Sequence, residues 1–408
     1  MSNEEKLVRM LKYVSEHNDF YKKRIKEYGI TNPLDITQWP ILTRKELQEN
    51  RYNMFSDGYK AKYFNQQLRR QTSSGSSGIP INVYWDNDDL FKSNIQLWRR
   101  RYKWYGITPC DKCVKFQLNA FGPINSNEIM YVIDPENVMS INVSFLFVED
   151  AYCKIANLIS SFKPKWLYIQ PSVIKILINV LKTHKHNSSM FSSVKYIESV
   201  GEILTEDIRN LAYDYFNAPV ANLYGSEEMN GIAYECPEKA MHVLDENVYL
   251  EISHGSEQIK SVLLSNLNNK CMPLIRYEQG DKMLINHSFK CLCSLGGDSI
   301  KMMTGRCRDT IHLNGGTNIN SFYLAEVISK ANNKYGDIIL QYKYVFHRNI
   351  QTLECFVCLD DNYNDWFISV EKEIKSSFQD CYTSIRVIVN KLSEKCVELK
   401  NHFLDIVD

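Results

Sequence analysis

Apolar positions along this chain follow two rhythms. Leu7, Met10, Leu11, Val14 and Phe20 recur at helical spacing and predict helix over the N-terminal stretch to about Gly29. In WPILTRKELQEN a turn precedes Thr43, which is placed to cap a helix with Glu46 three residues on. A further helix is predicted from Asp86 to Tyr105. Short apolar runs then alternate with helical ones: KCVKFQL, SINVSF, helical AYCKIANLISSF, PKWLYIQ, helical SVIKILINVLKTH, VKYIESVG, helical IRNLAYDYF and PVANLYG. Alternation at this pitch predicts an α/β architecture with at least one mostly parallel sheet. Beyond Val248 the pattern becomes rich in strands and turns (VYLEI, IKSVLLSNL, LIRYE, KMLINH). After Gly305 a final block of roughly 100 residues, the size of a small domain, has its own alternation. It includes IILQYKYVF, TLECFVCLD, a helix around Trp366 to Phe378 and SIRVIVNKL. The expected division is a large domain over residues 1–306 and a small one over 307–408.

Composition narrows the class. The 408 residues, 44% of them hydrophobic, can bury a large core in two or more domains. Net charge is zero, which argues against a nucleic-acid partner or a polybasic membrane anchor. The opening MSNEEKLVRMLKYV has no signal-peptide core, and no apolar run reaches transmembrane length, so no membrane insertion is expected. Twelve cysteines in such a chain point to a reducing, cytoplasmic compartment with mostly free thiols.

Four spaced motifs carry candidate chemistry. Six of the seven residues from Thr72 to Gly78 are Ser or Gly, immediately before the strand-like IPINVYW. Such a loop can turn backbone N–H groups and hydroxyls onto an anion, whereas a plain linker would not resume strand chemistry at once. ANLYGSEEMNG places Tyr224, Gly225 and Ser226 before two carboxylates, which on a bland reading are the acidic start of a helix. MPLIRYEQGD ends a predicted strand and turn at Asp281. MTGRCRDTIHLNGG opens the last block with Gly305, Arg306 and Arg308.

In this order the motifs resemble those of the adenylate-forming enzymes, and PILTRKEL with CMPLIRYEQGD resembles the phenylacetate–CoA ligase branch, which includes capsular-polysaccharide-biosynthesis homologues. The resemblance runs from Pro40 to about Gly316 and more weakly to the C-terminus. It implies a large α/β adenylate-forming domain with mostly parallel sheets and a strand-rich subdomain, followed by a small, mobile α+β lid. It implies ATP, Mg²⁺, a small carboxylic acid and CoA as ligands, and a homodimer is a further expectation. The loop Thr72, Ser73, Ser74, Gly75, Ser76, Ser77, Gly78 would wrap the β- and γ-phosphates, with Ile79 where the family commonly has Lys. Glu228 falls on the Mg²⁺-ligand position, and Glu227 replaces the family's Thr or Ser. Tyr224 would lie against adenine, Asp281 would bind the ribose hydroxyls, and Arg306 would sit near ribose and phosphate. Gly201 and Glu202 fall where a strand end meets adenine and substrate, and Arg308 falls at the hinge of the lid. Phe121, in NAFGPIN, is a candidate pocket wall. Lys400 is the positional match to the lid lysine that contacts the carboxylate, with Lys395 as its rival.

Cys236, His242, Cys291 and Cys293 match paired clusters found in many members of this branch, and three thiolates with one imidazole suit a closed tetrahedral structural Zn²⁺. The implied activity is ATP-dependent conversion of an acid to an acyl-adenylate and then a CoA thioester, and the branch's namesake substrate makes an aromatic acid the expectation. Two alternatives stay open: passage of the acyl group to an amine, hydroxyl or carrier protein, and a catalytically weakened nucleotide-binding homologue.

Overall fold

The helical rhythm at the N-terminus is interrupted by one polar residue. In the computed structural model of the protein, Asn18 ends the helix Asn3–His17 and caps the helix Asp19–Glu27 by accepting the Tyr21 N–H. Its amide also donates to the Met54 carbonyl at 2.8 Å, so a fully buried polar group is satisfied where the two helices part. The structure describes residues 2–72, 82–117, 129–133, 137–142, 145–146, 151–252, 260–304, 310–314, 318–335, 338–359, 361–381, 385–392 and 404–407. The chain forms two compact units, each from two separate stretches: Met1–Gly106 with Leu223–Arg308, and Ile107–Asn222 with Asp309–Asp408.

The first unit is built on antiparallel strands in the order Val248–Ile252, Lys260–Asn266, Tyr277–Asn286, Ser299–Thr304, Met241–Val243, Asn230–Glu235 and Val220–Ser226, the last of which runs across the division. The predicted pair LIRYE and KMLINH is one strand, Tyr277–Asn286. Gln279, Gly280 and Asp281 bulge opposite the single residue Val262, between the pairs Leu263–Glu278 and Ser261–Lys282. Gly280, at φ +95°, makes the bulge where the sequence reads as a turn. The N-terminal helices pack on this unit through Leu7, Leu11, Val14 and Tyr21, into a core with Trp39, Trp85 and Tyr277. Thr43 and Glu46 form the predicted capping box. Arg24 reaches Glu46 at 2.6 Å, and Leu42 bridges to Tyr277 in parallel, which fixes where the helix Arg44–Glu49 begins.

Parallel pairing in the second unit follows the strand–helix alternation. Tyr196–Val200, Trp166–Ile169, Cys113–Gln117 and Val138–Asn142 are parallel neighbours in that order, with Met130–Ile133 antiparallel at the end. The helices Tyr152–Phe162, Pro171–Thr183 and Glu206–Phe216 supply Ile155, Ile174, Leu177 and Ala212 to the core, against Val114, Phe116, Leu167 and Ile197. Tyr196–Val200 is buried throughout, as a strand covered on both faces must be. The C-terminal stretch forms a four-stranded sheet in the order Arg386–Lys391, Thr352–Leu359, Ile339–His347, Leu404–Val407. The helices Ser321–Tyr335 and Phe367–Cys381 contribute Leu324, Val327, Val370, Ile374 and Phe378 to its core.

Candidate functional site

The YGSEE motif is a hairpin and not a helix start. Val220–Ser226 and Asn230–Glu235 pair antiparallel, and Glu227, Glu228 and Met229 form the three-residue turn between Ser226 and its partner Asn230. Asn230 takes φ +61°, the left-handed residue that closes such a turn. Gly225 is required sterically, because a Cβ there would lie 2.5 Å from the Asn230 carbonyl oxygen. The Trp85 indole N–H donates to the Glu227 carbonyl at 3.4 Å.

This turn drives Glu228 into the unit, where it is 1% exposed. Its Oε1 accepts from the Tyr277 hydroxyl at 3.2 Å, and Arg44 Nη1 lies 3.9 Å away. Oε2 is buried and has no hydrogen-bond partner among the described residues. A buried carboxylate with one oxygen satisfied and one bare is costly unless something else neutralises it, so it is a fit acceptor for a hard cation.

Asp281 lies on the strand Tyr277–Asn286, which also carries Tyr277, and is 6% exposed. Its Oδ2 accepts from the Tyr224 hydroxyl at 2.5 Å and from Gln279 Nε2 at 2.7 Å. Gln279 Oε1 in turn accepts from the Ser226 hydroxyl at 2.8 Å. Tyr224, Ser226, Glu228 and Asp281 are thus brought together within one unit. Thr72 ends the strand Arg69–Thr72, paired with Asn82. Ser73, Ser74, Gly75, Ser76, Ser77 and Gly78 lie outside the described residues, as do Phe121, Arg306, Arg308, Lys395 and Lys400.

In the other unit Gly201 follows the strand Tyr196–Val200 with φ +77°. Both Glu202 oxygens are taken up by Ser172, one by its N–H at 2.9 Å and one by its hydroxyl at 2.8 Å. Glu202 therefore caps the first turn of Pro171–Thr183, where a carboxylate complements the helix dipole.

The four predicted metal ligands converge. The sulfur atoms of Cys236, Cys291 and Cys293 and a ring nitrogen of His242 lie within 4.8 Å of one another. Cys236 and Cys291 Sγ are 3.7 Å apart, and His242 Nε2 is 3.3 Å from Cys293 Sγ. Tetrahedral zinc with Zn–S of about 2.3 Å places its sulfur ligands about 3.8 Å apart, so the set needs little adjustment to close on an ion. Burial, with the Arg100 charge as a second cause, holds His242 down to about 4, leaving its ring neutral with a lone pair to donate. Burial pushes the Cys236 thiol up to about 12, so a metal would have to displace its proton. Arg100 Nη1 and Nη2 donate to the His242 and Val243 carbonyls at 2.9 and 2.7 Å, which fixes the strand that carries His242. Its positive charge would also offset a divalent ion held by three thiolates, a net −1 centre. Among the described residues, sequence reasoning missed Arg44, Arg100, Tyr277 and Gln279. Only Gln279 had a local signal, since it stands two residues before Asp281 in a strand pattern.

No family model matches the chain. It is 22% identical over 332 residues to a phenylacetate-coenzyme A ligase of Thermus thermophilus, an alignment covering 76% of this chain and 71% of that one. Among solved structures, 2-hydroxyisobutyryl-CoA ligase in the postadenylation state in complex with 2-HIB-AMP matches with TM-score 0.72 and 16% identity, covering 100% of this chain and 88% of that one. An anthranilate CoA ligase in complex with anthranoyl-AMP matches with TM-score 0.55 and 15% identity, covering 80% and 64%. The chain has the fold of the adenylate-forming CoA ligases, and its sequence is similar to that of their phenylacetate–CoA ligase branch.

Proposed function

We propose that this protein activates a small carboxylic acid with ATP and passes the acyl group to CoA. The observation that carries the reading is the turn Glu227–Met229. It buries Glu228 with Oε2 unpartnered, and it joins through Ser226 and Gln279 to Asp281. The proteins of like fold include ligases bound to acyl-AMP, and all three named above are CoA ligases.

In the first half-reaction a carboxylate oxygen of the acid attacks the α-phosphorus, the bond to the β-phosphate oxygen breaks, and pyrophosphate leaves. In the second the CoA thiol attacks the acyl carbonyl, loses its proton, and AMP leaves. Asp281 accepts from the ribose hydroxyls and Tyr224 lies against adenine, which together hold the α-phosphorus in line. Glu228 would hold Mg²⁺, which when bound neutralises charge on the phosphate oxygens. Thr72 to Gly78 supply phosphate donors, Arg306 stands near ribose and phosphate, and residues 307–408 serve as the lid, with Arg308 at its hinge. Cys236, His242, Cys291 and Cys293 would hold a structural Zn²⁺ away from the chemistry, and the nine cysteines whose side chains are described are free thiols, which supports a reducing, cytoplasmic compartment.

Acyl-hydroxamate formation with ATP and a panel of acids, aromatic ones included, tests the reading. One acid should stand out, and CoA should then consume the adenylate. No hydroxamate from any acid, with ATP still bound, would favour a weakened nucleotide-binding homologue. Lys400→Ala should slow adenylation by about 10²-fold, on the order of one lost charge-assisted contact at a transition state. The same variant should barely change thioester formation from preformed adenylate, and Lys395→Ala should change neither step.

A further inference from the structure

Gln279 stands beside the nucleotide-binding carboxylate without being one of the motif positions assigned to the ligand. It is 8% exposed, and both ends of its amide are engaged. Nε2 lies 2.7 Å from Asp281 Oδ2, and Oε1 lies 2.8 Å from Ser226 Oγ. The direction of every proton is fixed. An ionised carboxylate only accepts, so the amide must turn Nε2 toward Asp281. Oε1 then faces Ser226 and carries no proton, so the Ser226 hydroxyl donates to it. Ser226 Oγ is left to accept, and the Met229 N–H, at the end of the acidic turn, donates to it at 3.2 Å. The Tyr224 hydroxyl completes the array on Asp281 Oδ2 at 2.5 Å. Turning the amide over would set Oε1 against Asp281 and Nε2 against a hydroxyl, and would bring two acceptors face to face at hydrogen-bond distance. The backbone supports one orientation as well, because the bulge at Gly280 places Gln279 and Asp281 together opposite Val262.

We propose that Gln279 is a positioning residue that sets the plane of the Asp281 carboxylate, and that the enzyme's discrimination for the two ribose hydroxyls of ATP depends on it. The proposal rests on the reading of Asp281 as the ribose-binding group. It makes the turn bearing Glu228 and the strand bearing Asp281 one hydrogen-bonded piece, so the phosphate and ribose ends of the nucleotide are registered against each other by Ser226 and Gln279. Gln279→Leu keeps the size of the side chain but removes its hydrogen bonds to Asp281, to Ser226 and, at 3.4 Å, to the Tyr224 hydroxyl, while Tyr224 still donates to Asp281.

Calorimetric titration of the intact chain with ATP, 2′-deoxy-ATP and 3′-deoxy-ATP reads this directly. The native protein should bind ATP about 10-fold more tightly than either deoxy analogue, the worth of one good hydrogen bond to a charged acceptor. In Gln279→Leu, ATP should weaken by about 10-fold and the analogues by less than about 3-fold, so that discrimination nearly disappears. A merely structural loss would weaken all three nucleotides alike. Ser226→Ala, which breaks the next link while leaving the amide in place, should shift discrimination in the same direction by a smaller factor. It serves as the test if Gln279→Leu does not fold. Full discrimination retained by a folded Gln279→Leu, or by Ser226→Ala in its place, overturns the role of Gln279. Equal binding of all three nucleotides by the native protein instead overturns the ribose assignment of Asp281, and the proposal with it.

Discussion

Two polar clusters in the same unit are built on opposite plans. At Cys236, His242, Cys291 and Cys293 the protein supplies four ligand atoms within 4.8 Å, enough to fill a tetrahedral ion without any outside group. At Glu228 it supplies one buried carboxylate, satisfies one oxygen with Tyr277, and leaves the other bare. A closed ligand set can only hold and brace. A bare, buried acceptor is a site that a substrate or its cation must complete. On the proposed function the difference would separate stability from chemistry, and it gives the clusters different expected sensitivities.

The largest effect should come from the open cluster. Glu228→Gln keeps shape and the Tyr277 contact but removes the charge, and it should reduce ATP–pyrophosphate exchange by 10²-fold or more, with thermal stability near that of the native protein. Exchange within a few-fold of native would break the contrast, because Glu228 would then be as structural as the cysteines. Glu227→Thr, at the position where the family has Thr or Ser, should be tolerated.

The closed cluster should answer to chelation in the reverse way. Protein purified without added zinc should carry about one equivalent, and its removal should lower the melting temperature by roughly 5–10 °C, as expected for a loss of about 2–3 kcal/mol in a domain of this size. Initial adenylation rates at moderate temperature should change little. Once the metal is gone, pH should matter. His242, with a folded value of about 4 against an ordinary 6.5, contributes stability above pH 6.5 that is lost as pH falls from 6.5 toward 4. Cys236, raised by burial from 9 to about 12, contributes stability below pH 9 that is lost as pH rises from 9 toward 12. Metal-free protein whose thermal stability stayed flat across the acid window would show that His242 is not buried as described.

The smallest effect concerns the cation beside the open cluster. Arg44 approaches Glu228 at 3.9 Å with its side chain 10% exposed, a charge contact without short hydrogen bonds. Arg44→Lys should keep most of that interaction and raise the Mg²⁺ requirement of pyrophosphate exchange by only about 2–5-fold. Arg44→Ala, which leaves the acid buried without its cation, should cost about 1–3 kcal/mol of stability in urea unfolding. An alanine variant as stable as native protein would mean that Tyr277 alone suffices to keep Glu228 in place.

Much of the fold was legible because periodicity reports burial residue by residue. The helix Asn87–Tyr105, the parallel strands from Cys113 to Val200 and the capping box at Thr43 fall where the hydrophobic pattern puts them. The helix Ser321–Tyr335 lies outside the sequence prediction, although Leu324, Val327, Ile328 and Ala331 keep helical spacing. The hairpin at YGSEE was misread as an optional helix start because two adjacent acids favour a helix N-terminus in isolation. Pairing of Tyr224 with Ala233 decides otherwise. The turn expected at Asp281 became a bulge because Lys282 to Asn286 continue the same ladder with Ser299–Thr304.

By itself, then, the sequence determined most of the helices and strands, and it marked Glu228, Asp281 and the four metal-binding candidates by residue type and order. These are properties of single positions and short windows, and local sterics and the burial of apolar faces are enough to set them. Only the tertiary structure decided that Arg44 faces Glu228, that Arg100 stands behind His242, and that Gln279 ties Ser226 to Asp281. Each of these is a pairing between polar groups from different elements. Such pairings follow from strand register, from a bulge and from where a helix starts, and a shift of one residue in any ladder would give the same side chains different partners.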